Sequence, residues 1–317
     1  MNILVTGGAG FIGSHVCGEL LRAGHQVLAI DDFNDFYDPE IKRRNLATFG
    51  GGCDCAELDI RDAGAVDGVV GSNRWDAIIH LAARAGVRPS VLDPGLYIQT
   101  NIVGTHHLLE AARRHGVGRF VFASSSSVYG LAPGVPFRED MPLMQTLSPY
   151  AATKLAGEHL CGNYAHIHGL RVVCLRFFTV YGPGQRPDLA IHKFTKAINR
   201  GEPIPQFGDG STRRDYTYIS DIVQGVSGAL AYEDKTFDIF NLGENQTTTL
   251  RELIIHLENA LGKKARIERH PEQLGDMPLT SADIDKARRF LGYRPATPIA
   301  LGIPKFVEWY LNNEKRS

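Results

Sequence analysis

The chain has 317 residues, 43% of them hydrophobic and 22% charged, with a formal net charge of -1. That suits one large globular domain or two unequal ones, and it provides no overall basic field for nucleic acid or an anionic membrane, so any anion site must be local. No run approaches the ~20 apolar residues of a membrane helix.

The chain opens Met-Asn and enters a strand at once, with no basic n-region or apolar h-region. Five cysteines (Cys17, Cys53, Cys55, Cys161, Cys174) form no C-x-x-C pair and no disulfide framework. Cytoplasm is the expected compartment, and no metal site is expected.

Ile3-Leu4-Val5 is a short apolar run followed by Thr6-Gly7-Gly8-Ala9-Gly10-Phe11-Ile12-Gly13, and a helical pattern through Leu20 and Leu21 stops at Gly24. This is strand, glycine turn, helix. The spacing is G-x-x-G-x-x-G. Gly7 permits the tight turn, Gly10 lets a pyrophosphate approach the backbone, and Gly13 lets helix pack on strand. Gln26–Ile30 reads as a second buried strand ending in Asp31-Asp32. An acidic residue about 20 positions past the glycines accepts hydrogen bonds from an adenosine ribose and repels a 2′-phosphate, so NAD is expected over NADP.

Asp59-Ile60 could reach an adenine edge. Trp75–Ala83 is a strand running through Leu81 into Ala82 and Ala83, small enough for close approach to a cofactor; His80 within it reads as a satisfied core histidine. A helical pattern spans Tyr97 to His115 and carries Asn101. Phe120–Ala123 is the next strand and delivers Ser124–Ser127 at its carboxyl end, the edge where open parallel sheets bind ligands. Tyr150-Ala151-Ala152-Thr153-Lys154 then places a tyrosine and a lysine one helical turn apart on one face. A free tyrosine has a pKa of about 10, and a neighbouring ammonium favours the phenolate. Such a pair can take a proton from a sugar hydroxyl while a cofactor takes the hydride.

Strands alternating with helices predict an α/β fold, a Rossmann-type doubly wound parallel sheet, over residues 1–175, with some later segments returning to it. Residues 176–317, rich in proline and glycine at first and helical near Leu250–Leu261 and the C-terminus, are expected to form a smaller C-terminal substrate-binding domain.

Together T-G-G-A-G-F-I-G, S-S-S-S-V-Y-G, S-P-Y-A-A-T-K, R-F-F-T-V-Y-G-P and G-D-G-S-T-R-R-D-Y-T-Y-I-S-D resemble the extended short-chain dehydrogenase/reductase family, in its nucleotide-sugar epimerase branch. D-D-F-N-D-F-Y-D at 31–38 and H-L-A-A-R-A-G-V-R at 80–88 look like UDP-glucuronate 4-epimerases. The resemblance implies tightly bound, recycled NAD held by Gly7, Gly10, Phe11, Ile12, Gly13, Asp31, Asp32, Asn34, Asp59, Ile60, Leu81, Ala82, Ala83, Asn101, Tyr150 and Lys154. It implies that Tyr150 deprotonates the sugar 4-hydroxyl, that Lys154 lowers the tyrosine pKa and holds the nicotinamide ribose, and that Ser125 hydrogen-bonds the reacting oxygen. The 4-keto sugar would rotate and be reduced on its opposite face. Ser126, Ser127 and Thr179 would line the sugar site. Serines stand where related dehydratases and decarboxylases carry acidic residues, which favours simple epimerisation.

Arg214 matches the family's diphosphate arginine. A second one usually precedes P-G-D; here Gln273-Leu274-Gly275-Asp276 stands instead, leaving Asp276 as a substrate contact and Arg88 as a candidate substitute. A glucuronate carboxylate suits the bidentate fork of an arginine, and Arg186 on Tyr181–Pro187 is either that ligand or a surface residue. UDP-glucose or UDP-N-acetylglucosamine epimerisation, UDP-glucuronate decarboxylation and a non-catalytic NAD sensor are the alternatives. A homodimer through helices at 97–115 and 150–168 is implied by the resemblance.

Overall fold

The structure is a computed structural model, and it describes residues 1–143, 145–271 and 278–314. Its strands, in chain order, are β1 (Asn2–Thr6), β2 (Gln26–Asp31), β3 (Asp54–Glu57), β4 (Ala77–His80), β5 (Arg119–Ser125), β6 (Arg171–Phe177), β7 (Thr179–Tyr181), β8 (Pro203–Phe207), β9 (Arg213–Tyr218), β10 (Phe237–Leu242), β11 (Thr247–Thr249) and β12 (Arg266–His270). Seven of them form one sheet in the order β10-β6-β5-β4-β1-β2-β3, and every neighbouring pair is parallel. The inner strands β1, β4 and β5 carry continuous apolar runs because both sheet faces are covered, whereas the edge strand β3 is Asp54-Cys55-Ala56-Glu57. Alternation along β1 sends Ile3 and Val5 into one core and Leu4 into the other.

The order reverses between β1 and β4, so their carboxyl ends diverge and leave a crevice. Residues 219–242 return to this sheet: helix Ile219–Ala231 packs on β5 and β6, and β10 pairs with β6. A second, mixed sheet of β11, β9 and β7 and a parallel pair of β12 and β8 lie beyond it. Helix Leu250–Leu261 begins in a capping box, Thr249 with Glu252, and ends at Gly262 in the left-handed conformation.

One predicted helix is interrupted. The pattern from Tyr97 to His115 resolves into Pro94–Ile98, a π-helical turn Gln99–Val103, and Gly104–Arg114. The wider turn accompanies a side-chain brace described below.

Candidate functional site

At the sheet's carboxyl edge the crevice opens into a cavity of about 500 Å³, lined from both parts of the chain. The glycine turn forms its floor. Gly7 and Gly8 donate to the Ile30 carbonyl at 2.7 and 3.2 Å, joining the turn to β2. Gly7 has φ of +68°, and a Cβ there would lie 2.8 Å from the Ala82 nitrogen; a Cβ on Gly13 would lie 2.1 Å from the Gly7 carbonyl oxygen. Neither position accepts a side chain. Gly10 caps helix Phe11–Arg22 without a side-chain bond, and a Cβ there would meet only the Gly7 oxygen, at 3.2 Å. The helix therefore presents its free N–H groups and positive dipole end to the cavity, a cradle that fits a pyrophosphate.

Phe11, Ile12, Asp31, Asp32, Asn34, Ile60, Leu81, Ala82 and Ala83 line the same cavity, as expected. At the end of β2, Asp31 accepts from Phe33 N at 3.0 Å and from buried Lys42 Nζ at 3.0 Å, and Asp32 lies 3.4 Å from the same ammonium. Lys42 also lines the cavity. Its position on the inner face of helix Pro39–Phe49 left no mark in the sequence that set it apart from Arg43 and Arg44. Arg84 was missed for the same reason: its guanidinium donates to Asn34 Oδ1 at 3.0 Å at the cavity wall.

Two residues expected to contact the cofactor lie off the cavity lining. Asp59 does not line the cavity; Arg61 grips its carboxylate through Nε at 3.0 and 2.8 Å, and it faces a neighbouring groove with Asp35 and Glu57. Asn101 is a brace: its side chain accepts from Arg84 N at 2.8 Å and donates to Arg84 O and Thr153 Oγ1, both at 3.0 Å. Its amide is spent on protein. His80 is a core histidine, bonded to Thr6 and Thr105 at 2.7 and 2.9 Å, and burial pushes it down to about 3.

Helix Pro149–His168 starts with Ser148 accepting from Ala151 N and Pro149 in the first turn, and stops at left-handed Gly169. It brings Tyr150 and Lys154 to the cavity beside Ser124 and Ser125. Lys154 Nζ donates to the Ala123 carbonyl at 2.8 Å and lies 5.1 Å from the Phe122 ring centroid. Burial pushes its ammonium down to about 8. Burial also raises Tyr150, against the hydrogen bond from Ser125 and the charge of Arg186, which favour the phenolate. Ser125 and Arg186 thus join Lys154 among the groups to weigh in favour of the Tyr150 phenolate.

Ser125 Oγ accepts from Ser127 N at 3.2 Å and Ser127 Oγ at 2.9 Å, capping the short 3₁₀ turn Ser126–Tyr129. That turn carries Ser126 and Ser127 off the cavity wall, so neither lines it as expected. Thr179, Arg186 and Arg214 do line it. Arg186 is held by Asp188 through two bonds of 3.0 and 2.9 Å and packs over Phe36, 5.4 Å from its centroid. It is no solvated surface residue. Arg88 is outside the cavity lining; its guanidinium sits over Phe207 at 5.6 Å. Asp276 lies outside the described residues.

Residues 3–243 match the model of the NAD dependent epimerase/dehydratase family. The chain belongs to that family. UDP-glucuronate 4-epimerase 2 of Arabidopsis thaliana is 42% identical, over 100% of this chain and 77% of that protein. The structure of UDP-glucuronic acid 4-epimerase from Bacillus cereus with UDP-glucuronic acid and NAD is 36% identical, covers 99% of this chain and 100% of its own, and superposes with a TM-score of 0.92. UDP-glucose 4-epimerase of Thermotoga maritima with UDP-glucose is 33% identical, covers 99% and 100%, and gives 0.91. The fold is therefore common to epimerases of glucuronate and glucose, and the substrate must be argued from side chains. For the family's NAD, the cradle left by Gly7, Gly10 and Gly13 and the carboxylate at the end of β2 are a matching set.

Proposed function

We propose that the protein is an NAD-dependent UDP-sugar 4-epimerase whose substrate is UDP-glucuronate and whose product is UDP-galacturonate. The observation that carries this reading is one cavity holding Tyr150, Lys154 and Ser125 together with the guanidinium of Arg186. Tyr150 takes the proton of the sugar 4-hydroxyl, and Ser125 steadies the reacting oxygen. NAD, when bound, accepts the C4 hydride and returns it. Lys154, held by Ala123, keeps a positive charge beside the pair. Arg214 meets the diphosphate, and Arg186, pre-oriented by Asp188, meets the C5 carboxylate. The residues 1–175 chiefly serve the cofactor and 176–317 the sugar nucleotide.

Two features favour epimerisation over decarboxylation or dehydration. Among the described residues, the acidic ones lining the cavity are Asp31 and Asp32, at the end of β2, and none of the lining carboxylates belongs to the strand end and helix that carry Ser125 and Tyr150. A second reading, UDP-glucose epimerisation, is favoured by the Asp188 pairing, which already balances the Arg186 charge.

The enzyme works as a homodimer in the cytoplasm. Exposed Leu92 (86%), Val91 and Ile98, beside helix Pro149–His168, support the dimer, and five free thiols suit a reducing compartment. Incubation with UDP-glucuronate and, separately, UDP-glucose, with products identified by NMR, tests the reading. UDP-galacturonate from the first supports it, and conversion of UDP-glucose alone replaces the substrate.

A further inference from the structure

Helix Pro149–His168 carries Tyr150, Lys154 and Glu158 at successive four-residue steps, one stripe facing the sheet. The third member has no part in the chemistry above, yet it is 3% exposed. Glu158 Oε1 accepts from Ser124 Oγ at 2.5 Å and from Arg176 Nε at 2.9 Å, and Oε2 accepts from Arg176 Nη2 at 2.8 Å. Arg176 is 2% exposed and lies 4.8 Å from the Tyr129 centroid; Tyr129 in turn donates to Asn241 at 2.7 Å. Ser124, Arg176 and Asn241 are register neighbours on β5, β6 and β10.

The stripe is therefore clipped to β5 at two consecutive residues, Lys154 to the Ala123 carbonyl and Glu158 to the Ser124 hydroxyl. The next residue is Ser125. Stability does not explain the outer clip, because apolar residues of similar volume commonly replace a buried ion pair at no loss. The ionisable groups facing Lys154 are Tyr150 and Glu158 on its own helix, Cys161 one further turn along, and neutral His80 from β4. Glu158 is the carboxylate among them. Facing Glu158 are Arg176, Lys154 and the buried Cys174 thiol.

We propose that Glu158 is a positioning residue for catalysis: by clamping Ser124 and Arg176 it fixes the Tyr150–Lys154 helix against the strand end that delivers Ser125, and its charge balances Lys154. The kinetic consequence rests on the epimerase reading; the electrostatic one does not.

The test uses the holoenzyme with Glu158→Gln and with the double variant Glu158→Leu/Arg176→Met, which removes both charges and should melt no lower than the parent. The Lys154 side chain is titrated by NMR in lysine-labelled protein, assigned with Lys154→Arg. Its midpoint should fall by about one unit in Glu158→Gln and by less in the double variant. Turnover of UDP-glucuronate should drop about 10²-fold in both, with KM nearly unchanged. An unchanged Lys154 midpoint overturns the proposal whatever the substrate proves to be, and so does a folded double variant with full turnover. If Glu158→Gln does not fold, the double variant decides both points. If the parent does not convert UDP-glucuronate, the epimerase reading fails and the titration alone decides this one.

Discussion

Tyr150 is the residue on which the chemistry turns, and its surroundings both restrain and aim it. Burial opposes the phenolate, while Ser125 and Arg186 favour it. Tyr150→Phe keeps the ring and removes the acid–base group, so kcat should fall about 10³-fold with the fold and the bound cofactor retained; a melting curve and cofactor content after gel filtration check the latter. Lys154, pushed down to about 8, is cationic below that pH and loses its charge above it. Turnover that depends on the ammonium should therefore decline as pH rises through about 8, measured as kcat across the alkaline limb. Arg186→Ala should raise KM for UDP-glucuronate about tenfold or more and leave KM for UDP-glucose unchanged; equal KM effects on both would return Arg186 to a structural role. At this scale the sequence was informative wherever spacing alone brings side chains together: Tyr150 with Lys154, Ser125 at a strand end, the glycines of the turn. It was silent where a neighbour holds the side chain, as Arg61 does Asp59 and the Arg84 backbone does Asn101. It was silent on Lys42, because which helix face meets Asp31 is set by packing.

Among the elements, the glycine turn is the least tolerant of change. A methyl at Gly13 would press into the Gly7 carbonyl at 2.1 Å, backbone that cannot step aside. Gly13→Ala should release NAD and lower the melting temperature together, whereas a defect in catalysis with cofactor still bound would contradict the cradle. The strands β1, β2, β4 and β5 were legible because each carries an apolar run next to a helix, the mark of a sheet covered on both faces. The short strands β7, β8, β11 and β12 were not. They are three to five residues long, with prolines at 203 and 205 in β8, and pair only through tertiary contacts. The π turn at Gln99–Val103 was hidden for a different reason, since one widened turn scarcely disturbs the apolar pattern on either side.

Across the whole molecule, a cluster of buried carboxyls links β9 to β10 and gives stability a pH signature. Burial raises Asp215 to about 6, and burial with the charges of Asp221 and Asp215 raises Glu244 to about 7. Both values exceed those of an unfolded chain, about 4, so the native state binds more protons between about pH 4 and 7 and the two groups favour folding on the acid side. That contribution is lost as pH rises through 6 and 7. Glu244 Oε2 also lacks a hydrogen-bond partner. Glu244→Gln should therefore melt higher than the parent at about pH 8, with the difference vanishing below about pH 5; an increment independent of pH would contradict this. The central claim, that the chain oxidises and re-reduces one carbon of a UDP-sugar, is tested most directly by UDP-glucuronate deuterated at C4 in ordinary water, followed by NMR. The account predicts UDP-galacturonate with the label retained at C4, because the hydride never leaves the cavity. Label lost to water, release of CO2 with a 4-keto pentose, or unchanged substrate would contradict it.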